Sequence, residues 1–144
     1  MNYRKIGNDF VNKCIEQALE PNGWKCQKAG KLVSYFKKDG RFIALTRQED
    51  LFGAFDVVAV HPQKPFTLWI QMTVGGSSAA STRRKKIEAA APAFNEASGR
   101  LLLWTRQGDD KQRVRQEMFN GSWSERAGFT FRDPASITDA VGVL

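Results

Sequence analysis

The stretch Asp50–Gly76, DLFGAFDVVAVHPQKPFTLWIQMTVGG, decides how the chain is read. Two apolar runs flank a turn that carries Pro62 and Pro65, the pattern of an antiparallel hairpin. A turn centred between Gln63 and Lys64 sets Asp56 across from Gln71, about 5 Å away at the Cβ atoms. Side chains alternate along a strand, so Thr73 shares the face of Gln71 while Ile70 and Met72 point to the other. Three polar groups therefore gather at the open end of an apolar hairpin. The argument depends on register, because a slip of one residue would separate Asp56 from Gln71.

Asp56 lies between Phe55 and Val57, and a carboxylate in such surroundings is costly to bury without a partner. A backbone amide or Gln71 would supply one. A divalent metal would serve equally well.

The rest of the chain reads outward from this hairpin. Between Asp9 and about Glu20, Phe10, Val11, Cys14, Ile15, Ala18 and Leu19 form one helical stripe, which Pro21, Asn22 and Gly23 terminate. Asp9, Glu16 and Glu20 fall on the opposite, solvated side. Trp24–Gln27 and Leu32–Phe36 read as strands, and Lys37-Lys38-Asp39-Gly40 as a turn that returns the chain along Arg41–Thr46. His61 is the single histidine and reads as a turn residue. Ser77–Ser81 suits a loop capping a helix that carries Ile87, Ala90, Ala91 and Phe94, with Pro92 bending or dividing it. Leu101–Trp104 is a continuous apolar run, expected of a strand covered on both faces. Gln112–Phe119 is basic and is expected to be helical; Gly128–Asp133 is strand-like. The last ten residues give no clear reading. The expectation is an α/β fold: a mixed sheet flanked by helices.

Composition narrows the function. The 144 residues suit one domain, and 42% hydrophobic residues suffice for one core. A net charge of +7 favours polyanionic partners, nucleic acid first. Cys14 and Cys26 lack metal-site spacing and are expected to be reduced thiols. MNYRKIGNDF has no signal-peptide core, and no window approaches a membrane span. The expectation is a soluble, cytoplasmic protein of a prokaryotic or phage-infected cell, with no membrane partner.

GNDFVNKCIEQAL followed by GW, then GAFDVVAV, WIQMT and the basic STRRKKIEAA, occur in an order that resembles the PD-(D/E)XK nuclease superfamily. Within it the chain resembles the small phage and archaeal Holliday junction resolvase-like and RecB-like nucleases. The resemblance covers roughly Ile6 to Trp104. It implies one nuclease-like domain over residues 1–144 with a restriction-endonuclease-like core: helix, antiparallel strands, helix, strand. It implies that Asp56 and Gln71 bind magnesium or manganese and that Asp56, Gln71 and Thr73 form the catalytic set. Gln71 stands where the family has an acid, and Thr73 where it has a lysine. A neutral amide oxygen suits magnesium but adds no charge, and threonine cannot replace the positive charge near a reacting phosphate. Lys64, Arg83 and Lys86 are candidates to supply it. The family's first-helix acid has no counterpart, since Val11 occupies its slot; Glu49 and Asp50 are alternative local acids or plain loop residues.

Arg83, Arg84, Lys85 and Lys86 are read near the start of a helix, where their charge opposes the helix dipole unless a phosphate is present. Together with Lys37 and Lys38 they form the expected nucleic-acid surface, and Arg113 and Arg115 could extend it. Three functions follow. The first is a metal-dependent DNA endonuclease acting as a homodimer, on branched DNA among its substrates. The second is a nuclease fold retained for nucleic-acid binding with catalysis attenuated. The third is an accessory subunit whose basic surface meets an acidic protein.

Overall fold

The computed structural model describes residues 3–107 and 110–144. The first helix, α1 (Tyr3–Cys14), starts earlier than the apolar stripe alone suggests, and its continuation Ile15–Leu19 widens into a π-helical turn. Phe10, Cys14, Ile15, Ala18 and Leu19 are buried, and Asp9, Glu16 and Glu20 are exposed, as the stripe requires. Gly23 ends the segment with φ +89°, a left-handed conformation that glycine adopts without steric cost. His61 packs edge-on against Trp24 there, with ring centres 5.1 Å apart. Its Nδ1 accepts from Gln63 N, which leaves Nε2–H to donate to Asn22 O at 3.0 Å. The histidine is thus a strut between the helix end and the hairpin turn.

The main sheet has six strands: β1 (Lys25–Lys28), β4 (Val57–Val60), β5 (Thr67–Thr73), β6 (Gly99–Arg106), β7 (Arg113–Phe119) and β8 (Trp123–Thr130), in the order β1-β4-β5-β6-β7-β8. Only the β5–β6 pair is parallel, and helix α2 (Ser77–Ala90) makes the crossover between them. The remaining strands, β2 (Lys31–Lys38) and β3 (Arg41–Gln48), form a separate two-stranded ladder. Helix α3 (Pro134–Gly142) closes the chain; Asp133 caps it by accepting from Ala135 N at 3.1 Å.

Alternation on the strands builds two cores. Val57, Ala59, Leu68, Ile70, Leu102 and Trp104 pack with α1 and α3 on one face. Phe55, Leu101, Leu103 and Ile87 pack with α2 on the other. Leu101–Trp104 is therefore covered on both sides, as the unbroken apolar run requires. The protein is a mixed α/β fold with helices on both faces of one sheet.

Several expectations need correction. Residues 113–119 form β7 rather than a helix, and the last ten residues are largely helical. The Gly128–Asp133 stretch is strand only as far as Thr130. Ser77–Ser81 belongs to α2 itself, which Gly76 caps without a side-chain bond. The run Arg83–Lys86 consequently spans the middle of α2, beyond the first turn where the helix dipole opposes positive charge. Pro92 divides the segment, placing Ala91–Ala93 in a 3-10 turn after the helix proper.

At Gly23 a Cβ would lie 2.7 Å from His61 Nε2, whereas at Gly121 (φ +73°) it would meet open space. Gly121→Ala should cost about 1 kcal/mol through backbone strain alone. Gly23→Ala should cost clearly more, and chemical denaturation of the two variants checks the difference; equal costs would show that His61 moves aside freely.

Candidate active site

The hairpin register is the one its turn predicts: Val57 pairs with Ile70, Val58 with Trp69 and Ala59 with Leu68. Asp56 sits one step beyond the ladder, with its N–H donating to Ile70 O at 2.9 Å. Its Oδ2 accepts from Met72 N at 2.8 Å, so the carboxylate caps the first β5 amide beyond the β4–β5 ladder. That pairing is one of the purely structural roles open to it, and it engages only one carboxylate oxygen.

Asp56, Gln71 and Thr73 line a single cavity of about 610 Å³. Gln71 is 1% exposed, and its Nε2 makes one long bond of 3.4 Å to Met72 O. Its Oε1 is buried without any partner. An orphaned buried acceptor is uncommon and costs about 1–3 kcal/mol, which a cation or a donor entering the cavity would recover. Thr73 is engaged otherwise: its Oγ1 accepts from Gly75 N at 3.3 Å and closes the turn into α2. Gly75 is needed there because a Cβ would collide with that of Ala79.

Asp50 also lines this cavity. The tight Leu51–Phe55 turn places it there, bridged by Leu51 N to Phe55 O at 2.8 Å and Phe55 N to Leu51 O at 3.0 Å. An aromatic group of Phe52, Phe55, Trp69 and Phe94 holds that turn against the sheet. Burial pushes the Asp56 carboxyl up to about 7, and the facing Asp50 carboxyl adds to the rise, while the Met72 amide and Arg83 oppose it. The two acids lie close enough to share a hydrogen bond. Near neutral pH the Asp56 carboxyl is thus poised between its protonated and ionised forms, and a cation would favour the ionised one.

Three cationic side chains border the same cavity: Lys28, Arg83 and Lys86. Arg83 approaches Asp50 Oδ2 at 4.0 Å. Lys28 was not singled out by sequence reasoning, and it donates to Asn12 Oδ1 at 2.9 Å. Lys64 does not belong to the site; it donates to Gly142 O from the opposite, turn end of the hairpin. Arg84 is also withdrawn from the expected phosphate surface. Its Nε and Nη2 grip both Glu117 oxygens at 3.1 and 2.8 Å, a forked ion pair tying α2 to β7. α1 offers Gly7, Asn8 and Val11 to the cavity, while its single acid, Asp9, is exposed to solvent. Lys37 and Lys38 lie on the separate β2–β3 ladder, and Arg115 pairs with Glu125 at 3.1 Å.

Among the described residues there is no cluster of three or more His, Cys, Asp or Glu side chains suited to a metal. The oxygen donors available are the two carboxylates and the Gln71 amide, all hard ligands of the kind magnesium and manganese accept. Their fit rests on the unpartnered Gln71 oxygen and the crowded acid pair. No helix among the described residues is long and apolar enough to cross a membrane. Comparison with protein-family models, characterised proteins and solved structures gives no match.

The raised Asp56 carboxyl has a definite consequence for stability. Its ordinary value is 3.8 and its folded value about 7, so between these the folded state holds more protons than the unfolded one. Its contribution to stability falls as pH rises through that window, and the penalty is complete above it. Asp56→Asn keeps an oxygen for the Met72 amide and removes the charge. In chelated buffer the variant should exceed the parent by up to about 4 kcal/mol above neutrality, a rise of about three pKa units at about 1.4 kcal/mol each. Paired thermal melts should show the gap closing toward pH 4. Parallel melting at every pH would mean that the carboxyl is not held near neutrality by burial.

Proposed function

We propose that the chain is a metal-dependent DNA nuclease of the PD-(D/E)XK type, with its active centre in the cavity at the open end of the β4–β5 hairpin. The observation that carries this reading is the convergence of the Asp50 and Asp56 carboxyls with the unpartnered Gln71 Oε1, beside Arg83 and Lys86. The antiparallel β1, β4 and β5, followed by α2 and the parallel β6, support the reading because they follow the core order the resemblance implies.

In this reading Asp56, Asp50 and Gln71 hold magnesium or manganese, and Asp56 stays anchored through Met72 N. A metal bound by such oxygens acidifies water and neutralises charge on phosphoryl oxygens. Arg83 and Lys86 stand one helical turn apart on α2 and meet the phosphate at the cavity edge. They supply the charge that a threonine at position 73 cannot. Thr73 fixes the turn that delivers α2 to the cavity, so its role is positioning.

A second reading is a DNA-binding protein whose catalysis is attenuated. The engagement of Thr73 with Gly75 favours it, since no cation stands on β5 beside Gln71.

Incubation of the purified protein with linear, branched and single-stranded DNA, with and without magnesium or manganese, separates the two. Metal-dependent cleavage that Asp56→Asn abolishes, with folding intact, is the expected result. Binding without cleavage under every metal condition would leave the second reading standing.

The cations of α2 should differ in a measurable way. Arg83→Ala and Lys86→Ala should each flatten log affinity against log salt by about 0.9 for duplex DNA, one phosphate apiece. Arg84→Ala should instead lower stability by about 3 kcal/mol, because it strands the buried Glu117 carboxylate. A flattened slope for Arg84→Ala with unchanged melting would return Arg84 to the phosphate surface.

A further inference from the structure

The chain leaves the main sheet after β1 and returns before β4, and the segment Lys31–Gln48 between them is an arm. β2 and β3 pair along their full length, from Lys31 with Gln48 to Lys38 with Arg41, and neither joins the six-stranded sheet. Every residue from Tyr35 to Ala44 is exposed. A two-stranded hairpin in water is marginal on its own, and nothing in such a structure calls for large apolar side chains on both faces. This one nonetheless carries Tyr35 (73% exposed), Phe36, Phe42 (81% exposed) and Ile43.

The ladder sorts these residues. Tyr35 pairs with Ala44 and Lys37 with Phe42, so Tyr35, Lys37 and Phe42 share a face, with the two aromatics diagonal across it. Phe36, Lys38, Arg41 and Ile43 share the other. Charge is equally uneven. From Lys31 to Gln48 there are five basic residues, Lys31, Lys37, Lys38, Arg41 and Arg47, against the single acid Asp39, a balance of +4 out of the chain's +7.

The arm is rooted at the candidate active site. Glu49 N donates to Gly30 O at 3.2 Å, and Ala29 N donates to Asp56 O at 2.7 Å. Lys28 and Ala29 at one root and Asp50 beyond the other line the cavity itself. Whatever the arm holds is therefore held beside Asp56.

We propose that the β2–β3 arm binds unpaired DNA bases, stacking them on Tyr35 and Phe42 while Lys37 on the same face, and Lys38 and Arg41 flanking the Asp39–Gly40 tip, engage the adjoining phosphates. Exposed aromatic rings beside basic side chains are the combination that single strands use, because an unpaired base offers a face for stacking and its phosphate a charge. A blunt duplex hides those faces within its own stack. A second copy of the chain is a poorer occupant, since it would set one +4 arm against another. The arm thus selects the substrate class, single-stranded or branch-point DNA, and delivers it to the cavity. This last step rests on the nuclease reading above; the binding itself does not.

The test is fluorescence anisotropy in chelated buffer, where nothing is cut, with the full chain and a labelled single strand, a splayed fork and a blunt duplex of one sequence. Tyr35→Ala/Phe42→Ala should weaken single-strand and fork binding by about 10- to 100-fold and leave the duplex nearly unaffected, with an unchanged salt slope. Lys37→Ala/Lys38→Ala should weaken all three and flatten the single-strand salt slope by about 0.7 for each phosphate no longer neutralised. Undiminished single-strand binding by the aromatic variant would overturn the proposal, as would absence of binding to any of the three DNAs. A change in sedimenting mass without a change in DNA affinity would overturn it too, by showing self-association. Should the aromatic variant lose its melting transition, Tyr35→Phe/Phe42→Trp, which keeps both rings, decides: folding restored together with single-strand binding supports the proposal, and folding restored without that binding overturns it. Arm-dependent binding with no cleavage under any metal removes the nuclease reading and leaves the arm. Cleavage with arm-independent binding does the reverse.

Discussion

The register of β4 against β5 is the constraint on which the rest of the structure depends. Val57, Ala59, Leu68 and Ile70 face the α1 side only if Val57 pairs with Ile70. A slip by one residue would turn the apolar pair of one strand toward α2 and part Asp56 from Gln71 and Thr73. β5 is also the strand on which β6 lays its parallel ladder and from which α2 departs. An error there would propagate across both cores. The register is held at the turn end by the His61 strut and at the open end by Asp56, whose carboxylate takes the first amide past the ladder. The residue that stabilises the pairing is thus also the one presented to the cavity.

Two buried glutamines show how structural and functional polarity differ within one sheet. Gln116 on β7 is saturated: its Oε1 accepts from Trp104 Nε1 at 2.8 Å, and its Nε2 donates to Ala127 O at 3.0 Å and Ala140 O at 3.4 Å. It joins β6, β8 and α3, and nothing remains for a ligand. Gln71 on β5 has an oxygen with no partner and a cavity in front of it. Buried polar networks gain from complete satisfaction, so an incomplete one beside two crowded carboxyls marks the place where the fold has left capacity unused.

The hairpin, the first helix and β6 are legible in the sequence because each obeys a testable period: two for the strands, three to four for the helix, an unbroken run for a strand covered twice. β7 escapes such a reading because Arg113, Arg115, Gln116, Glu117 and Met118 give it the composition of a helix. Its alternation is nevertheless present, with Val114, Gln116 and Met118 on one side and Arg113, Arg115 and Glu117 on the other. The buried member Gln116 is polar, which disguises the period. Asp50 carries too weak a signal as a loop acid; only the bridged turn and its aromatic cover bring it to Asp56. Arg84 cannot be told from its neighbours by sequence, since its partner Glu117 lies on a strand whose composition is that of a helix.

The correction to α2 sharpens the electrostatic logic of the site. Arg83 and Lys86 look into the cavity, Arg84 turns away to Glu117, and Lys85 is exposed. With both carboxyls ionised the cavity wall holds three cations and two anions; with Asp56 protonated it holds three and one. A polyanion alone therefore favours the protonated cavity, whereas a divalent cation favours the ionised one. On the proposed reading, occupation by metal and by phosphate are linked through the same carboxyl. The metal removes the acid–acid repulsion, the phosphate neutralises the cations this exposes, and each ligand binds more tightly once the other is present.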